Sequence, residues 1–575
     1  MSSDAEDLIK QLEELIDVIE LPIGPIYRCI RKSLAKIYLE SGKEMEGIFN
    51  LVESHAVSLR TRMHLRYDRT SKEDRHMLDG SLVQHGSAGV STILDWLCKM
   101  PTEWSLVQVT RAYDPTFRFS VNSSKAATSA LHIVRYECGA RAQQQPPLCV
   151  TVPIKLESRS LAAELHAIVA DQQEHLKWGT LSSARYHMLK SKLNLRMKNV
   201  VSKLQSEWLR HWSSLLIAPY VDLVEEEAVV SFVDQLLERC ALTVDARAHR
   251  LLCQLAKAAP FLPEWDLRKG VASCVEAPAA VIKDMGHQLS RFPDAVRLLV
   301  VRRQPIILLL DEELELFPWE MLTVLQDHPV SRLPSLHVLY TLYKAHKSRI
   351  VGGRLQVDAG LGYYIVNPEQ NLPRNEKRLR TFLTQRAPSW KGTFGVAPSS
   401  DAFRDVLQHN NMFIYSGHGS GAQFLQGDEI QKLHLRAVPF LFGCSSVSSK
   451  HLGGLVEPGG MWHFYHIANC PMVVGNLWSV TDTASDVITV HLLHRLLPQT
   501  RDMAMDAEKG EVPPKATECK DPDAPELWRP SGYNWKQEPD LLYAINRSHS
   551  SNKHYLATAA LVARGLPILI IGKVC

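Results

Sequence analysis

The second half of this chain predicts an α/β fold in which parallel strands, buried on both faces, alternate with helices. Three observations carry that expectation. From residue 305 onward, short continuous apolar runs recur, beginning with Pro305-Ile306-Ile307-Leu308-Leu309-Leu310. They are too short for helices and do not alternate with polar residues, the pattern of strands covered on both sides. Segments of helical period separate several of them, and strands alternating with helices build parallel sheets. Two of the runs end in glycine-lined turns, Tyr415-Ser416-Gly417-His418-Gly419 and Phe442-Gly443-Cys444-Ser445-Ser446. Ligand chemistry in open α/β sheets gathers at the carboxyl ends of strands, where these turns fall.

Composition bounds the function classes. The chain has 575 residues, of which 45% are hydrophobic and 22% charged, with a net charge of +3. That length exceeds one core and predicts several domains. The small net charge predicts no strong nucleic-acid binding and no direct membrane attraction. Eleven cysteines are scattered without a CxxC pair, which favours reduced thiols over a disulfide framework. The start, Met1-Ser2-Ser3-Asp4-Ala5-Glu6-Asp7, is acidic where a secretory signal would be basic and then apolar. The longest apolar candidate, 296–310, is broken by Arg297, Arg302 and Arg303 and falls short of the ~18 residues of a membrane span. A soluble intracellular protein is expected.

Residues 4–270 read as mainly helical. Leu8, Leu12, Leu15, Ile16 and Ile19 recur at three- and four-residue steps and predict one buried stripe. Similar patterns run over 161–169, 188–215 and 229–256. The charged stretch 67–86 and the Gln/Pro-rich stretch 140–147 read as loops, and Val150-Thr151-Val152-Pro153-Ile154 as a strand. After 305–310, strands are expected at 362–366, 412–415, 438–442, 471–475 and 567–571, with helices at 376–385, 401–409, 459–468 and 484–497. The polar stretch 499–530 is expected to be a mobile insertion.

The chemistry sits in the two turns. A thiolate attacks a carbonyl, and a neighbouring imidazole can take the thiol proton and return it to the leaving amine. The developing oxyanion needs donors, which glycine-lined turns can expose as backbone N–H groups. Gly417 and Gly419 flank His418, and Gly443 precedes Cys444. The residues alone leave two readings open, a Cys/His dyad and a pair of structural turns. Cys470, ahead of Pro471, reads as core. His463 and His466 lack a second matched pair of ligands, so no metal is assigned. His451-Leu452-Gly453-Gly454 lacks the Lys-Ser/Thr of a phosphate loop. The basic run Lys190, Lys192, Arg196, Lys198, Lys203 reads as a solvated face.

The order of motifs resembles the protease region of the separases, caspase-fold (clan CD) cysteine endopeptidases. Leu308-Leu309-Leu310-Asp311 leads to Phe317-Pro318-Trp319-Glu320 and Ser331-Arg332-Leu333-Pro334-Ser335; Gly362-Tyr363-Tyr364-Ile365-Val366-Asn367-Pro368 leads to Asn371-Leu372-Pro373. Ser416-Gly417-His418-Gly419, Leu441-Phe442-Gly443-Cys444-Ser445-Ser446, Gly475-Asn476-Leu477-Trp478 and Val480-Thr481-Asp482 follow. The resemblance covers about residues 300–495 and the final strand. It implies that His418 is the catalytic histidine and Cys444 the nucleophile, with the N–H groups of Gly419 and Cys444 as oxyanion hole. Separases cut after arginine in an acidic-x-x-Arg context, and a carboxylate suits a guanidinium fork. Asp482 is the candidate for that S1 pocket, with Trp478 lining the arginine stem. On local grounds Asp482 reads equally as a helix N-cap, and Trp478 as a core residue.

The resemblance further implies cleavage of the kleisin subunit of cohesin after Arg at anaphase, with no cofactor. It implies a securin-type inhibitor, a separate helical-repeat subunit and a cyclin-dependent kinase complex as partners. The implied location is cytoplasm and nucleus, with chromosomes and the spindle or centrosome in mitosis. The expected domains are 1–275, a mainly helical partner-binding region; 276–390, a pseudo-protease-like α/β subdomain; and 391–575, the catalytic caspase-like domain. Typical separases are much longer, with a large N-terminal helical array. The start at Met1 favours a compact separase, as in some insects, over a fragment. The alternatives are a catalytically inactive caspase-fold scaffold and another Arg-specific protease of the same clan.

Overall fold

The computed structural model describes residues 3–19, 22, 24–68, 80–86, 89–113, 130–155, 160–177, 183–292, 299, 301–450, 453, 456–497, 537–549 and 554–572. The expected insertion at 499–530 lies outside them, as do the residues 69–79 of the expected charged loop. The chain divides into two compact units: Met1–Lys347 with Ser448–His463 and Arg564–Leu566, and Ser348–Val447 with Phe464–Ala563 and Pro567–Cys575.

The first unit joins helices to a sheet. Its helices include Ser3–Val18, Gly24–Glu40, Glu44–Glu53, Val57–Asp68, Leu161–Lys177, Ser183–Lys203, Leu223–Arg239 and Ala246–Ala258. Asp222 and Asp245 cap the last two by accepting from Val224 N–H and Ala248 N–H, as short polar N-caps do. The strands are β1 (Ser105–Arg111), β2 (Ala130–Glu137), β3 (Leu148–Pro153), β4 (Ile306–Leu310) and β5 (Val330–Leu333), in the order β3-β2-β1-β4-β5. β1 runs antiparallel to β2 and parallel to β4, and β4 runs parallel to β5. The stretch to 270 is mainly helical as expected, but it also contributes β1 and β2, two strands beyond the one expected at 150–154. β1 and β2 are almost wholly buried, and their ladder partners include a strand some 200 residues away. Without an exposed face they carry no alternation to read. The stripe on the first helix is shifted too: Ile9 is buried, while Leu8 and Leu15 are 45% and 53% exposed. Residues 140–144, expected as loop, form one short helix.

The stretch from Phe317 to Ser335 turns out to be architectural. The guanidinium of Arg332 on β5 is fully buried, donating through Nε to Glu320 Oε1 at 2.7 Å and to the Glu315 and Phe317 carbonyls at 2.6 and 2.8 Å. Trp319 Nε1 donates to the Leu314 carbonyl at 3.0 Å. A buried charge survives only when paired and hydrogen-bonded, and these contacts supply both.

The second unit holds a parallel sheet in the order β12-β11-β10-β8-β9, formed by β8 (Gly362–Val366), β9 (Lys391–Phe394), β10 (Met412–Ser416), β11 (Val438–Leu441) and β12 (Met472–Asn476). Helix Pro373–Arg386 connects β8 to β9, and Ser400–His409 connects β9 to β10. Pro373 stands in the first turn of its helix, where a missing N–H costs nothing. Ser399 caps the other by accepting from Ala402 N–H at 3.1 Å. The final apolar run is a strand, β13 (Ile568–Ile571), but it pairs with β7 (Arg354–Asp358) in a small three-stranded sheet completed by β6 (Ile350–Val351). An apolar run declares a strand without declaring its partner.

Candidate active site

Register brings the two motifs together. β10 and β11 pair in parallel with Tyr415 opposite Leu441. His418 and Cys444 each stand three residues beyond that pair, at the carboxyl end of the sheet. β8 flanks β10 on the other side, with Val366 opposite Ser416, and contributes the turn from Asn367 to Leu372.

Glycine is required in the two central turns for different reasons. Gly419 has φ +61° and Gly421 φ +81°, left-handed angles that cost glycine little. A Cβ on Gly443 would run into the carbonyl oxygen of Gly419, so the nucleophile turn can lie against the histidine turn only with no side chain there. Ser445, next to the cysteine, has φ +52°, strain of the kind stored at functional turns. Two side chains and one backbone bond hold it in place: Asn476 Nδ2 donates to the Gly443 carbonyl at 3.2 Å, Ser446 Oγ to the Leu441 carbonyl at 2.5 Å, and Ser445 N–H to the Trp478 carbonyl at 3.2 Å. On the other turn, Tyr415 Oη donates to the His418 carbonyl at 2.9 Å.

The Cys444 thiol is partly buried and donates to the Val480 carbonyl at 3.2 Å. Burial pushes the thiol up from its ordinary value, and the Asp482 carboxylate acts in the same direction. It rests protonated at neutral pH and needs a base to become a nucleophile. The His418 side chain is 50% exposed; its Nε2 lies 3.0 Å from Asn371 Oδ1 and 3.7 Å from Glu369 Oε2. Thiol and imidazole are not hydrogen-bonded to each other in this state. The N–H groups of Gly419 and Cys444 donate to no group among the described residues, leaving one donor available in each of the two turns.

The substrate-pocket residues fare differently. Asp482 is exposed and opens helix Asp482–Leu496. It is not the N-cap: Thr481, extended at φ −72° and ψ 147°, accepts from Ala484 N–H at 3.3 Å, while Asp482 Oδ1 takes only Thr483 N–H at 2.8 Å. The N-cap reading of Asp482 is therefore corrected by one residue, because threonine already supplies the cap oxygen. Trp478 is 1% exposed and its Nε1 donates to the Leu556 carbonyl at 3.0 Å. Its ring faces the core, so the expected contact with an arginine stem is not open to it. Asp486 is buried, hydrogen-bonded to Asn375 and paired with Arg378 at 2.9 Å. The residues that local reading gave no role are Asn371, Glu369 and Gln423; only the Asn371-Leu372-Pro373 string marked the place.

Residues 264–484 match the family model of the separin protease domain. The chain carries a separin protease domain and belongs to that family. The mouse separin is 30% identical over 438 residues, 74% of this chain and 18% of the relative. The Emericella nidulans separin is 39% identical over 180 residues, 31% of this chain and 9% of the relative. The Saccharomyces cerevisiae separin is 33% identical over 192 residues, 33% and 12% respectively. The chain thus spans less than a fifth of the length of these relatives. The crystal structures of the Saccharomyces cerevisiae separase–securin complex at 3.0 and 2.6 Å match with TM-scores of 0.68 and 0.66, at 18% and 20% identity. They cover 98% and 99% of this chain and 37% and 38% of the separase chain. The likeness extends the shared fold, a caspase-like α/β protease architecture behind a mainly helical N-terminal region, to nearly the whole chain. Both turns and Asp482 lie inside the separin-domain match.

Proposed function

We propose that this chain is a cysteine endopeptidase that cleaves the kleisin subunit of cohesin after arginine, releasing sister chromatids at anaphase. The observation that carries this reading is that Cys444 and His418 each stand three residues beyond the paired strand residues Leu441 and Tyr415, in turns whose Cys444 and Gly419 N–H groups are unengaged. His418 takes the thiol proton as sulfur attacks the scissile carbonyl. The N–H groups of Gly419 and Cys444 receive the oxyanion. Collapse expels the amine, which takes its proton from the imidazolium. Water then hydrolyses the thioester, and the thiol regains its proton.

Arginine specificity rests on Asp482, an exposed carboxylate whose charge is felt at Cys444. A securin-type inhibitor, a separate helical subunit and a cyclin-dependent kinase complex are proposed partners. Cytoplasm and nucleus, with chromosomes and spindle in mitosis, is the proposed location. The functional segments 1–275, 276–390 and 391–575 are kept as a proposal of roles: partner binding, pseudo-protease and catalysis. An arginine acyloxymethyl ketone should label Cys444, and a kleisin fragment with an acidic-x-x-Arg site should be cut by the chain but not by Cys444→Ser. An unlabelled thiol with no cleavage would favour an inactive scaffold; cleavage by Cys444→Ser would end the nucleophile assignment.

A further inference from the structure

The third turn at this end of the sheet has no assigned role, yet two of its side chains reach the imidazole. Asn371 Oδ1 lies 3.0 Å from His418 Nε2 and Glu369 Oε2 lies 3.7 Å from it. An amide oxygen only accepts, so this contact puts the proton on Nε2 and leaves the lone pair on Nδ1. The turn is built to hold that geometry. Asn367 and Gln370 are left-handed, at φ +52° and +61°. Asn367 Oδ1 accepts from Leu372 N–H at 2.8 Å, its Nδ2 donates to Glu376 Oε2 at 2.8 Å, and Gln370 Nε2 donates to the Gly395 carbonyl at 2.9 Å. Gln423 ties the two turns together: its Nε2 reaches Glu369 Oε1 at 3.0 Å, Tyr415 Oη at 2.9 Å and the His418 carbonyl at 3.2 Å.

We infer that Asn371 is a positioning residue for His418: it selects the Nε2–H tautomer and aims Nδ1 at the proton to be moved, while Glu369 supports the imidazolium that forms. A half-exposed imidazole has little packing to orient it, so a side-chain acceptor does. A protonated thiol makes the demand stricter, because the base must be correctly poised when attack occurs. Its effect on turnover rests on the peptidase reading; its effect on the imidazole does not.

The test compares Asn371→Ala and Asn371→Asp with the unmodified full chain by two measurements. One is turnover of a fluorogenic arginine peptide. The other is the ring 15N signature of His418 in histidine-labelled chain, assigned by its loss in His418→Ala. Asn371 is exposed, so the fold should tolerate both changes. Asn371→Ala should lower kcat on the order of 100-fold, the scale of a misoriented catalytic group, with KM within about twofold. It should also lose the single Nε2–H signature. Asn371→Asp, which keeps an acceptor oxygen, should keep the signature and most of the turnover. An unchanged kcat or an unchanged signature in Asn371→Ala overturns the inference. If the unmodified chain cleaves no arginine peptide, the peptidase reading fails, and the 15N signature alone then decides for or against Asn371.

Discussion

Replacing Asp482 with alanine removes an exposed carboxylate from the first position of helix Asp482–Leu496. Two consequences can be sized. A substrate guanidinium seated against Asp482 in a closed pocket forms a desolvated pair, and truncating one member costs roughly 2–5 kcal/mol. At about 1.36 kcal/mol per tenfold, the lower bound is a ~30-fold fall in kcat/KM for an arginine substrate. A pair that stays at a solvated rim is worth about 0.2–1 kcal/mol, less than about sixfold. The effect on folding should be small, because Thr481 retains the cap; only the favourable charge at the helix N-terminus is lost, about 0.3–1 kcal/mol. The assay is kcat/KM on matched fluorogenic peptides ending in arginine or in neutral citrulline, together with the melting temperature. Asp482→Ala should lose at least 30-fold on arginine and little on citrulline. Thr481→Ala is the control: it should cost about 1 kcal/mol of stability and leave the arginine preference intact. Removing Asp482 also relieves the charge that helps hold the Cys444 thiol up, so alkylation of Cys444 near pH 8 should quicken. An arginine-to-citrulline ratio unchanged by Asp482→Ala would refute the pocket assignment.

Two further outcomes are expected. Gly443→Ala places a methyl on the Gly419 carbonyl; the turns must part, at about 1–3 kcal/mol for a forced backbone shift. Peptide cleavage should fall by at least about 100-fold, and a variant near wild-type activity would show that the close approach is dispensable. Burial would raise the Glu53 carboxyl, but Arg60 and His337 overcome it and hold Glu53 well below the carboxylate range. A depressed carboxylate contributes stability that is fully present above its unfolded value, about 4.3, and lost as pH falls through the folded one. The gap in denaturant midpoint between the chain and Glu53→Gln should therefore be widest near pH 7, begin to narrow at about pH 4.3 and go on narrowing as pH falls toward the folded value; a gap independent of pH would contradict this.

The strand runs, the glycine turns and the residues they present can be read from the amino-acid sequence alone. Each is local: an apolar run covered on both faces announces itself in four or five residues, and a turn that needs left-handed angles announces itself through glycine. His418 and Cys444 were legible for that reason, as were helices such as Ser400–His409 with its serine cap. The features that no local pattern carries depend on residues far apart in the chain. β1, covered and without alternation, becomes visible only through its ladder to β4, and β2 through its ladder to β1. The final run could be called a strand, but its partner β7 could not be named. Trp478 and Asp482 are four residues apart, yet one is sealed in the core and the other stands in solvent, because burial is set by what packs above a residue. Asn371 meets His418 across 47 positions, through the parallel pairing of β8 with β10, and no local pattern of residues encodes a contact between two strand ends.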